Sequence, residues 1–219
     1  MVTGGLDLST ASPGAGQARD SLARALDVGP MDLLLPRQVH GDRVVLADGP
    51  WRDGPPEADG VLVDAPGPVV GVLAADCMPL LLGDPEQGVA AAVHVGRQGL
   101  HVGIVGVAVE ALVAAGARGL VALPGPTVCG RCYEVPEQMR DEVSADVPAA
   151  ASTTRQGTPA LDIPAGVRDQ LARAALACGV EVAVDDSWCR CTVEDLDSFS
   201  HRRDAPTGRH AALVSVVRR

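Results

Sequence analysis

The stretch VVGVLAADCMPLLLGDPEQGVAAAVHVG, residues 69–96, contains three apolar runs separated by polar or turn-forming residues. The runs are long enough for buried strands, which are predicted at residues 69–74, 79–83 and 88–94. Asp76, Cys77 and His94 stand where these strands end. Because side chains at strand ends can converge on one pocket, the stretch predicts both the core of a sheet and a place for chemistry.

The sequence on either side predicts further strands and helices in groups. Additional strands are expected at residues 33–35, 44–46, 61–63, 182–184 and 211–217. Helices are expected at residues 15–27, 99–115 and 164–177, with a shorter one beginning at Pro136. The strands occur in neighbouring pairs with helices between the groups, which indicates an α+β fold rather than strict β-α-β alternation.

Chain length and loop composition predict one domain over residues 1–219. A single core can grow to roughly 250–300 residues, so this length needs no second domain. Residues 1–14 are rich in Gly, Ser and Thr and are expected to be loosely ordered. Residues 146–159 are expected to be a surface loop.

The formal net charge of -10 argues against nucleic acid as a partner, because phosphate binding needs clustered cations. His201-Arg202-Arg203 is a short basic run, and one Tyr, one Phe and two Trp offer few surfaces for stacking bases. The sequence shows neither a leader peptide nor an uninterrupted apolar stretch of ~20 residues. A cytoplasmic protein with reduced cysteines and no membrane partner is therefore expected.

Three residues are candidate metal ligands: His40, Cys77 and His94, each at the end of an apolar run beside Gly or Asp. Two imidazoles and one thiolate suit zinc or copper and leave a coordination position for water or substrate. The separations along the chain are long, so spacing alone leaves the ordinary alternatives open. A buried cysteine often acts as a small apolar residue, and a histidine at a strand end often has a structural hydrogen bond.

The remaining cysteines carry weaker signals. Cys129 and Cys132 have C-x-x-C spacing, which fits a redox pair or half of a zinc site, whereas Cys189 and Cys191 do not complete a zinc ribbon. Structural thiols are favoured for all four, and Cys178 is expected in the core. Near His94, the predicted helix start could bind an anion, or Gly96 and Gly99 could only shape the turn. Asp76 could orient a ligand or cap a helix.

Several blocks of sequence together resemble the YfiH-like family, named for multicopper polyphenol oxidases or laccases and for purine nucleoside phosphorylases. The blocks are QVHGDRV (38–44), ADGVLVD (58–64), LAADCMPLLL (73–82), AAVHVG (91–96), CYEV (132–135), LDIPAGVRDQL (161–171), CT (191–192) and FSHRRDAPTGRHAALV (199–214). The resemblance implies layered mixed β-sheets flanked by helices in a four-layer sandwich. It also implies that His40, Cys77 and His94 bind a metal ion, zinc or alternatively copper, and serve in catalysis.

The activities that the resemblance implies are phosphorolysis of adenosine, inosine and methylthioadenosine, and deamination of adenosine. In that interpretation Arg97, His201, Arg202 and Arg203 bind the nucleoside and phosphate, which are the expected small-molecule partners. His201 could also act as acid or base, because histidine changes charge near neutrality.

Two features depart from the family pattern. The family continues its second histidine motif as Trp-Arg-Gly, where this chain has Arg97-Gln98-Gly99, so the arginine is displaced by one position. The family also opens with a strand carrying Thr-Arg before a Gly-Gly turn, and a chain that begins Met1-Val2-Thr3-Gly4-Gly5 is expected to lack that strand.

Other functions stay open at this point. In a metal-free hydrolase, Cys77 would be the nucleophile and His94 its base, for example on an amide bond of a peptidoglycan precursor. A nucleoside-binding protein without turnover is a third interpretation. Copper polyphenol oxidation is less favoured, because it needs several clustered ligand sets and the sequence shows one.

Overall fold

The computed structural model describes residues 15–217, so the expectations for residues 1–14 lie outside the described part of the chain. The helices are α1 (Ala15–Ala25), α2 (Arg97–Val102), α3 (Ile104–Ala114), α4 (Glu137–Asp146), α5 (Ile163–Cys178) and α6 (His201–Asp204). The strands are β1 (Leu33–Leu34), β2 (Val44–Leu46), β3 (Gly60–Val63), β4 (Val69–Ala74), β5 (Met78–Asp84), β6 (Val89–Val95), β7 (Gly119–Pro124), β8 (Ala151–Thr153), β9 (Pro159–Leu161), β10 (Glu181–Val184) and β11 (His210–Ser215).

These elements form four layers. A three-stranded sheet in the order β1-β4-β11 packs on a six-stranded sheet in the order β10-β7-β5-β6-β3-β2. Helix α1 covers the outer face of the smaller sheet, and helices α2, α3 and α5 cover the outer face of the larger one. The predicted α+β sandwich of mixed sheets flanked by helices is therefore confirmed.

Strand β4 shows why an unbroken apolar run was needed at residues 69–74. Val69 and Leu73 pack with α1, while Val70 and Val72 pack between the two sheets. Side chains alternate across a strand, so a strand that is covered on both faces has to be apolar at every position. The β5–β6 pair lies in the larger sheet and is buried in the same way.

The turn between β5 and β6 is held by Asp84. One oxygen of its carboxylate accepts hydrogen bonds from the backbone N–H groups of Glu86 and Gln87, at 2.9 and 3.1 Å. The other oxygen accepts from Arg118 and Gly119, at 2.8 and 3.2 Å. Asp84 therefore connects the hairpin to the beginning of β7.

The structure differs from the sequence-based expectations in three places. Strand β7 was missed, although it lies between β5 and β10 in the larger sheet. The helix predicted at residues 99–115 is two helices, because Gly103 adopts a left-handed conformation with φ of 88°. The expected loop at residues 146–159 contains strand β8, which pairs with β9.

No helix within residues 15–217 is long and apolar enough to cross a membrane.

Candidate active site

Asp59 organises the loop that carries His40. This carboxylate is fully buried at the beginning of β3 and accepts hydrogen bonds from the backbone N–H groups of Val39, His40 and Gly41, at 3.0, 3.0 and 2.8 Å. His40 itself has a positive φ of 62°, which is unusual for a residue with a side chain. Three backbone hydrogen bonds to one carboxylate explain how the loop keeps that conformation.

His94 lies near the end of β6 and is bound to the same carboxylate. Its Nδ1–H donates to Asp59 Oδ1 at 2.8 Å, and both residues are buried. This hydrogen bond fixes the orientation of the ring and leaves Nε2 available to bind a metal ion. A histidine held in this way by a carboxylate is the usual arrangement behind a protein metal ligand.

Cys77 completes the group between β4 and β5. Its Sγ lies 3.9 Å from His40 Nε2, and the potential ligand atoms of His40, Cys77 and His94 all lie within 4.8 Å of one another. The two imidazole rings are nearly perpendicular, with centroids 4.8 Å apart. The structure thus brings together the three residues that the sequence marked as candidate ligands.

Gly96 gives this group its space. A Cβ atom at this position would lie 2.8 Å from His40 Cδ2 and 3.2 Å from Cys77 Sγ. Gly99 is similarly restricted, since a Cβ there would lie 3.0 Å from the backbone oxygen of Gly41. Both glycines shape the turn after β6, and the short helix α2 that follows spans only Arg97–Val102.

The electrostatics of the site favour a cation. Burial raises the pKa of the Cys77 thiol, but hydrogen bonds from His40 and His94 outweigh this and lower the pKa to about 6. Burial lowers the pKa of His94, but Asp59 and Cys77 outweigh this and raise the pKa to about 9. Two anions therefore flank the ring of His94, and the field that holds a proton there would also hold a metal ion.

The three residues open into a cavity of about 780 Å³ that is rich in arginine. The arginines that line it are Arg19, Arg37, Arg97, Arg202 and Arg209. His201 also lines it. Arg37 pairs with Glu57, and Arg19 donates to the backbone oxygen of Leu33. Within residues 15–217, Arg97, Arg202 and Arg209 form no ion pair with a carboxylate, so their positive charges are available to an anion.

Arg202 is held at the wall of this cavity by two contacts. Its guanidinium lies over the ring of Tyr133, 4.8 Å from the centroid, and its backbone N–H donates to Asp76 Oδ2 at 2.7 Å. The other oxygen of Asp76 accepts from Thr192 Oγ1 at 2.6 Å. Asp76 therefore supports the segment that carries His201 and Arg202 instead of contacting the ligand group.

Arg203 does not line the cavity. Its guanidinium donates to the backbone oxygens of Thr192, Asp195 and Ser198, at 2.7, 2.9 and 2.6 Å. The sequence predicted that Arg203 binds substrate, but the structure uses its side chain to close the loop before α6. Arginine suits this task because its planar group can donate several hydrogen bonds at once.

The departure at Arg97-Gln98 has a simple structural outcome. Arg97 lines the cavity, whereas Gln98 is exposed and is absent from the cavity wall. The arginine that stands one place earlier thus still faces the site.

A second group of potential ligands contains Cys129, Cys132, Cys191 and Glu194, whose ligand atoms also lie within 4.8 Å of one another. The C-x-x-C pair of Cys129 and Cys132 therefore has two neighbours, Cys191 and Glu194, that the sequence did not identify. Cys189 lies apart from this group and packs against the core beneath the helices, as does Cys178.

Sequence reasoning assigned no role to Asp59, Tyr133 or Arg209. Asp59 had one available signal, a carboxylate separated only by Gly60 from the apolar run at residues 61–63. Tyr133 and Arg209 carried none beyond their place in the quoted blocks, because the loops that hold them meet only in the folded chain.

Comparisons with known proteins agree on one family. The family model described as multi-copper polyphenol oxidoreductase laccase matches residues 13–217. A purine nucleoside phosphorylase of Streptomyces coelicolor is 48% identical over 206 residues, which are 92% of this chain and 83% of the relative. The crystal structure of YlmD from Geobacillus stearothermophilus matches with a TM-score of 0.81 and 25% identity, covering 96% of this chain and 84% of that one. YfiH from Bacillus licheniformis shares the fold, with a TM-score of 0.78 and 23% identity over 97% and 86% of the two chains.

Proposed function

This chain belongs to the multi-copper polyphenol oxidoreductase laccase family, which includes the YfiH-like proteins, and from this we propose its function. The proposed function is that of a metal-dependent purine nucleoside phosphorylase. The proposal includes adenosine, inosine and methylthioadenosine as substrates, and deamination of adenosine as a second activity of the same site. The observation that carries it is the cavity itself, where arginines without carboxylate partners face a three-residue ligand group. Phosphorolysis needs an anionic phosphate to be held beside an uncharged nucleoside, and arginines without carboxylate partners supply the positive charge for this.

The residues of the candidate centre fit a zinc ion. His40, Cys77 and His94 offer one ligand atom each, Gly96 leaves room beside them, and Asp59 orients the ring of His94. Zinc commonly takes three protein ligands of these types in catalytic sites. When bound, such an ion supplies Lewis acidity to an oxygen or nitrogen of the substrate.

The arginines would bind and orient phosphate. Arg97 and Arg202 lie on different segments of the cavity wall, so they can contact separate oxygens of one phosphate. An oxygen of the held phosphate attacks C1′ of the ribose, the bond from C1′ to the base breaks, and the base leaves with the bonding electrons. In this proposal His201, which also lines the cavity, gives a proton to the departing base.

The direct test is an assay of nucleoside turnover with and without phosphate. The metal-loaded protein should release free base from inosine, adenosine or methylthioadenosine only when phosphate is present, and should form ribose 1-phosphate or its methylthio analogue in equal amount. Inosine formed from adenosine measures deamination separately. If the metal-loaded protein releases no free base from inosine, from adenosine or from methylthioadenosine, all three assays being negative, the proposal is ruled out.

Variants separate the metal centre from general damage. Cys77→Ala should lose the metal ion of this centre together with turnover, whereas Cys178→Ala, at a partly buried cysteine on α5, should keep both. Alkylation of Cys77 separates the two roles of this residue. If Cys77 binds a metal ion, alkylation should release that ion as turnover stops, whereas a nucleophile of a metal-free hydrolase would lose turnover with no metal released.

A change at Arg202 tests the anion site. Arg202→Gln should raise the KM for phosphate by roughly 10–100-fold, the equivalent of losing a charged hydrogen bond, with less effect on the KM for nucleoside. Arg173→Gln, on the exposed side of α5, is the matched control. Equal kinetics for the two variants would place phosphate elsewhere.

A further inference from the structure

The group of Cys129, Cys132, Cys191 and Glu194 is built from two turns of the same design. In the first, the backbone N–H groups of Cys132 and Tyr133 both donate to the backbone oxygen of Cys129, at 2.9 and 3.0 Å. In the second, the N–H groups of Glu194 and Asp195 both donate to the backbone oxygen of Cys191, at 3.1 and 2.9 Å. Each turn thus presents two potential ligands separated by two residues, as in C-x-x-C zinc sites.

A short parallel backbone pairing brings the two turns together. Thr127 N–H donates to the oxygen of Arg190 at 2.9 Å, and Thr192 N–H donates to the oxygen of Thr127 at 3.1 Å. The turns come from parts of the chain that are far apart in sequence. Their side chains meet because the backbone is paired, so the cluster is a property of the fold and not of one flexible loop.

We propose that Cys129, Cys132, Cys191 and Glu194 form a second metal site, for a structural zinc ion, which clamps together the two loops of the cavity wall. This site does not depend on the function proposed for His40, Cys77 and His94.

The distances between the four side chains suit tetrahedral zinc. Cys132 Sγ lies 3.1 Å and Cys129 Sγ 3.8 Å from Glu194 Oε1, and all four ligand atoms lie within 4.8 Å of one another. With Zn–S bonds of about 2.3 Å, the sulfur atoms of a tetrahedral site lie about 3.8 Å apart. Binding therefore requires shifts of less than about 1 Å.

A guanidinium and a backbone N–H group lie beside the four potential ligands. Arg155 Nη2 pairs with Glu194 Oε1 at 2.6 Å, and Arg155 Nη1 lies 3.9 Å from Cys132 Sγ. The backbone N–H of Cys129 also points to Cys191 Sγ, at 3.5 Å. Such contacts outside the ligand shell offset the excess negative charge that three thiolates and one carboxylate retain around a divalent ion.

A disulfide explains this arrangement less well. A disulfide bond between Cys129 and Cys132 would involve only two of the four side chains. It would not account for the positions of Cys191 and Glu194, whose ligand atoms lie within 4.8 Å of the same group. Three thiols with a carboxylate are a set that zinc accepts, and the carboxylate disfavours copper(I), which prefers sulfur ligands alone.

The clamp acts on the cavity through the residues beside the ligands. Cys132 directly precedes Tyr133, whose ring lies beneath the guanidinium of Arg202. Cys191 directly precedes Thr192, which donates to Asp76, and Asp76 accepts from the backbone of Arg202. An ion that joins the two turns therefore fixes both sides of the place where Arg202 is held.

The test measures zinc in protein that carries Cys77→Ala, because this change removes the first centre. That protein should retain about one zinc per chain. Adding Cys191→Ser should remove it, whereas adding Cys189→Ser, two positions away and outside the cluster, should not. Glu194→Gln should weaken zinc binding by more than about tenfold. Zinc content that is unaffected by Cys191→Ser would overturn the proposal, as would Cys77→Ala protein that holds no zinc and contains a Cys129–Cys132 disulfide.

A second measurement covers the case in which Cys191→Ser does not fold. Cobalt(II) added to zinc-free Cys77→Ala protein should give the intense absorption of tetrahedral cobalt bound to thiolate, and one equivalent of zinc should abolish it. Octahedral cobalt spectra would contradict the proposal. For the clamp itself, hydrogen exchange over residues 191–204 should quicken at least tenfold when zinc is removed from Cys77→Ala protein, and unchanged exchange would refute that role.

Discussion

At the scale of single residues, Asp59 and Gly96 decide whether three distant side chains can share an ion. Asp59 connects the His40 loop to the ring of His94 through one carboxylate. Gly96 keeps the volume beside the ligands free of a side chain. Neither residue offers a ligand atom to the group of His40, Cys77 and His94, yet both determine where those side chains lie, and a metal centre would tolerate only about 0.5 Å of displacement.

Replacing Asp59 with Asn should weaken metal binding at the candidate centre about 10–100-fold, as changes behind a ligating histidine do. The side-chain nitrogen of Asn cannot accept a hydrogen bond, so the N–H groups that now donate to one of the two Asp59 oxygens would lose their acceptor. Metal affinity can be measured by competition with a coloured chelator, with folding checked by circular dichroism. Asp64→Asn, at an exposed position after β3, is the control. Equal affinity in the two variants would remove Asp59 from this role.

Replacing Gly96 with Ala should lower turnover by up to about a hundredfold through displaced ligands, because small misplacements at a site are costly. The φ of Gly96 is -86°, so the backbone accepts Ala and the effect comes from contact with His40 and Cys77. Gly106→Ala is the matched control, since a Cβ on that residue of α3 meets no described atom within 4 Å. If Gly96→Ala keeps wild-type turnover and metal content, the space that Gly96 leaves beside His40 and Cys77 is not required for the site.

At the scale of elements, the turn at Asp84 holds the β5–β6 pair that presents His94. Burial raises the pKa of Asp84, but its backbone hydrogen bonds from Arg118, Gln87, Gly119 and Glu86 hold the pKa below its usual range. Because the folded-state pKa lies below the unfolded value, the carboxylate stabilises the protein above the unfolded pKa of about 4, and this contribution is lost as pH falls below it.

Asp84→Asn should therefore reduce the free energy of unfolding by about 1.5–3 kcal/mol at pH 7, the range for hydrogen bonds to a charged group. The difference from wild type should shrink as the pH is lowered below about 4. Urea unfolding at a series of pH values measures it, with Asp48→Asn on an exposed loop as the reference variant. A difference that is constant from pH 7 to pH 3 would mean that the charge of Asp84 is unimportant.

Elements also show why some boundaries were missed. Strand β7 begins at Gly119 and ends at Pro124, and Gly125 follows it, so its short apolar run resembles part of a Gly- and Pro-rich turn. The helix after β6 appeared continuous because Leu100 and Ile104, with Val107 and Leu112 further on, continue the helical period across Gly103. In both cases a local pattern is compatible with two structures, and packing on the larger sheet selects one.

At the scale of the whole molecule, the layers share their cores. Residues of β3, β4, β6 and β11 form one cluster between the sheets, and α1 packs on the reverse side of β4. A sheet that is buried on both faces loses its support if either neighbouring layer leaves. This continuity is the reason to expect that the described residues 15–217 unfold as one unit.

Unfolding in urea should accordingly be a single transition seen equally by different probes. Trp51 packs against the core between the sheets, so its fluorescence reports that layer, while far-ultraviolet circular dichroism reports mainly the helices. The Trp188→Phe substitution removes the only other tryptophan of the sequence, which is half-exposed, so that the remaining fluorescence comes from Trp51. Midpoints that differ between the two probes would divide the chain into separately folding units.

The sequence alone determined the main strands, the α+β class and three of the residues at the candidate site. Burial on both faces requires unbroken apolar runs, and a polar residue that ends such a run is conspicuous, as Cys77 and His94 are. Only the tertiary structure decided what those residues meet. Asp59 beneath His94, Arg203 turned into its own loop, and Glu194 beside three cysteines depend on segments far apart in the chain. Local periodicity carries no information about such contacts, because they arise when sheets stack and loops close around them.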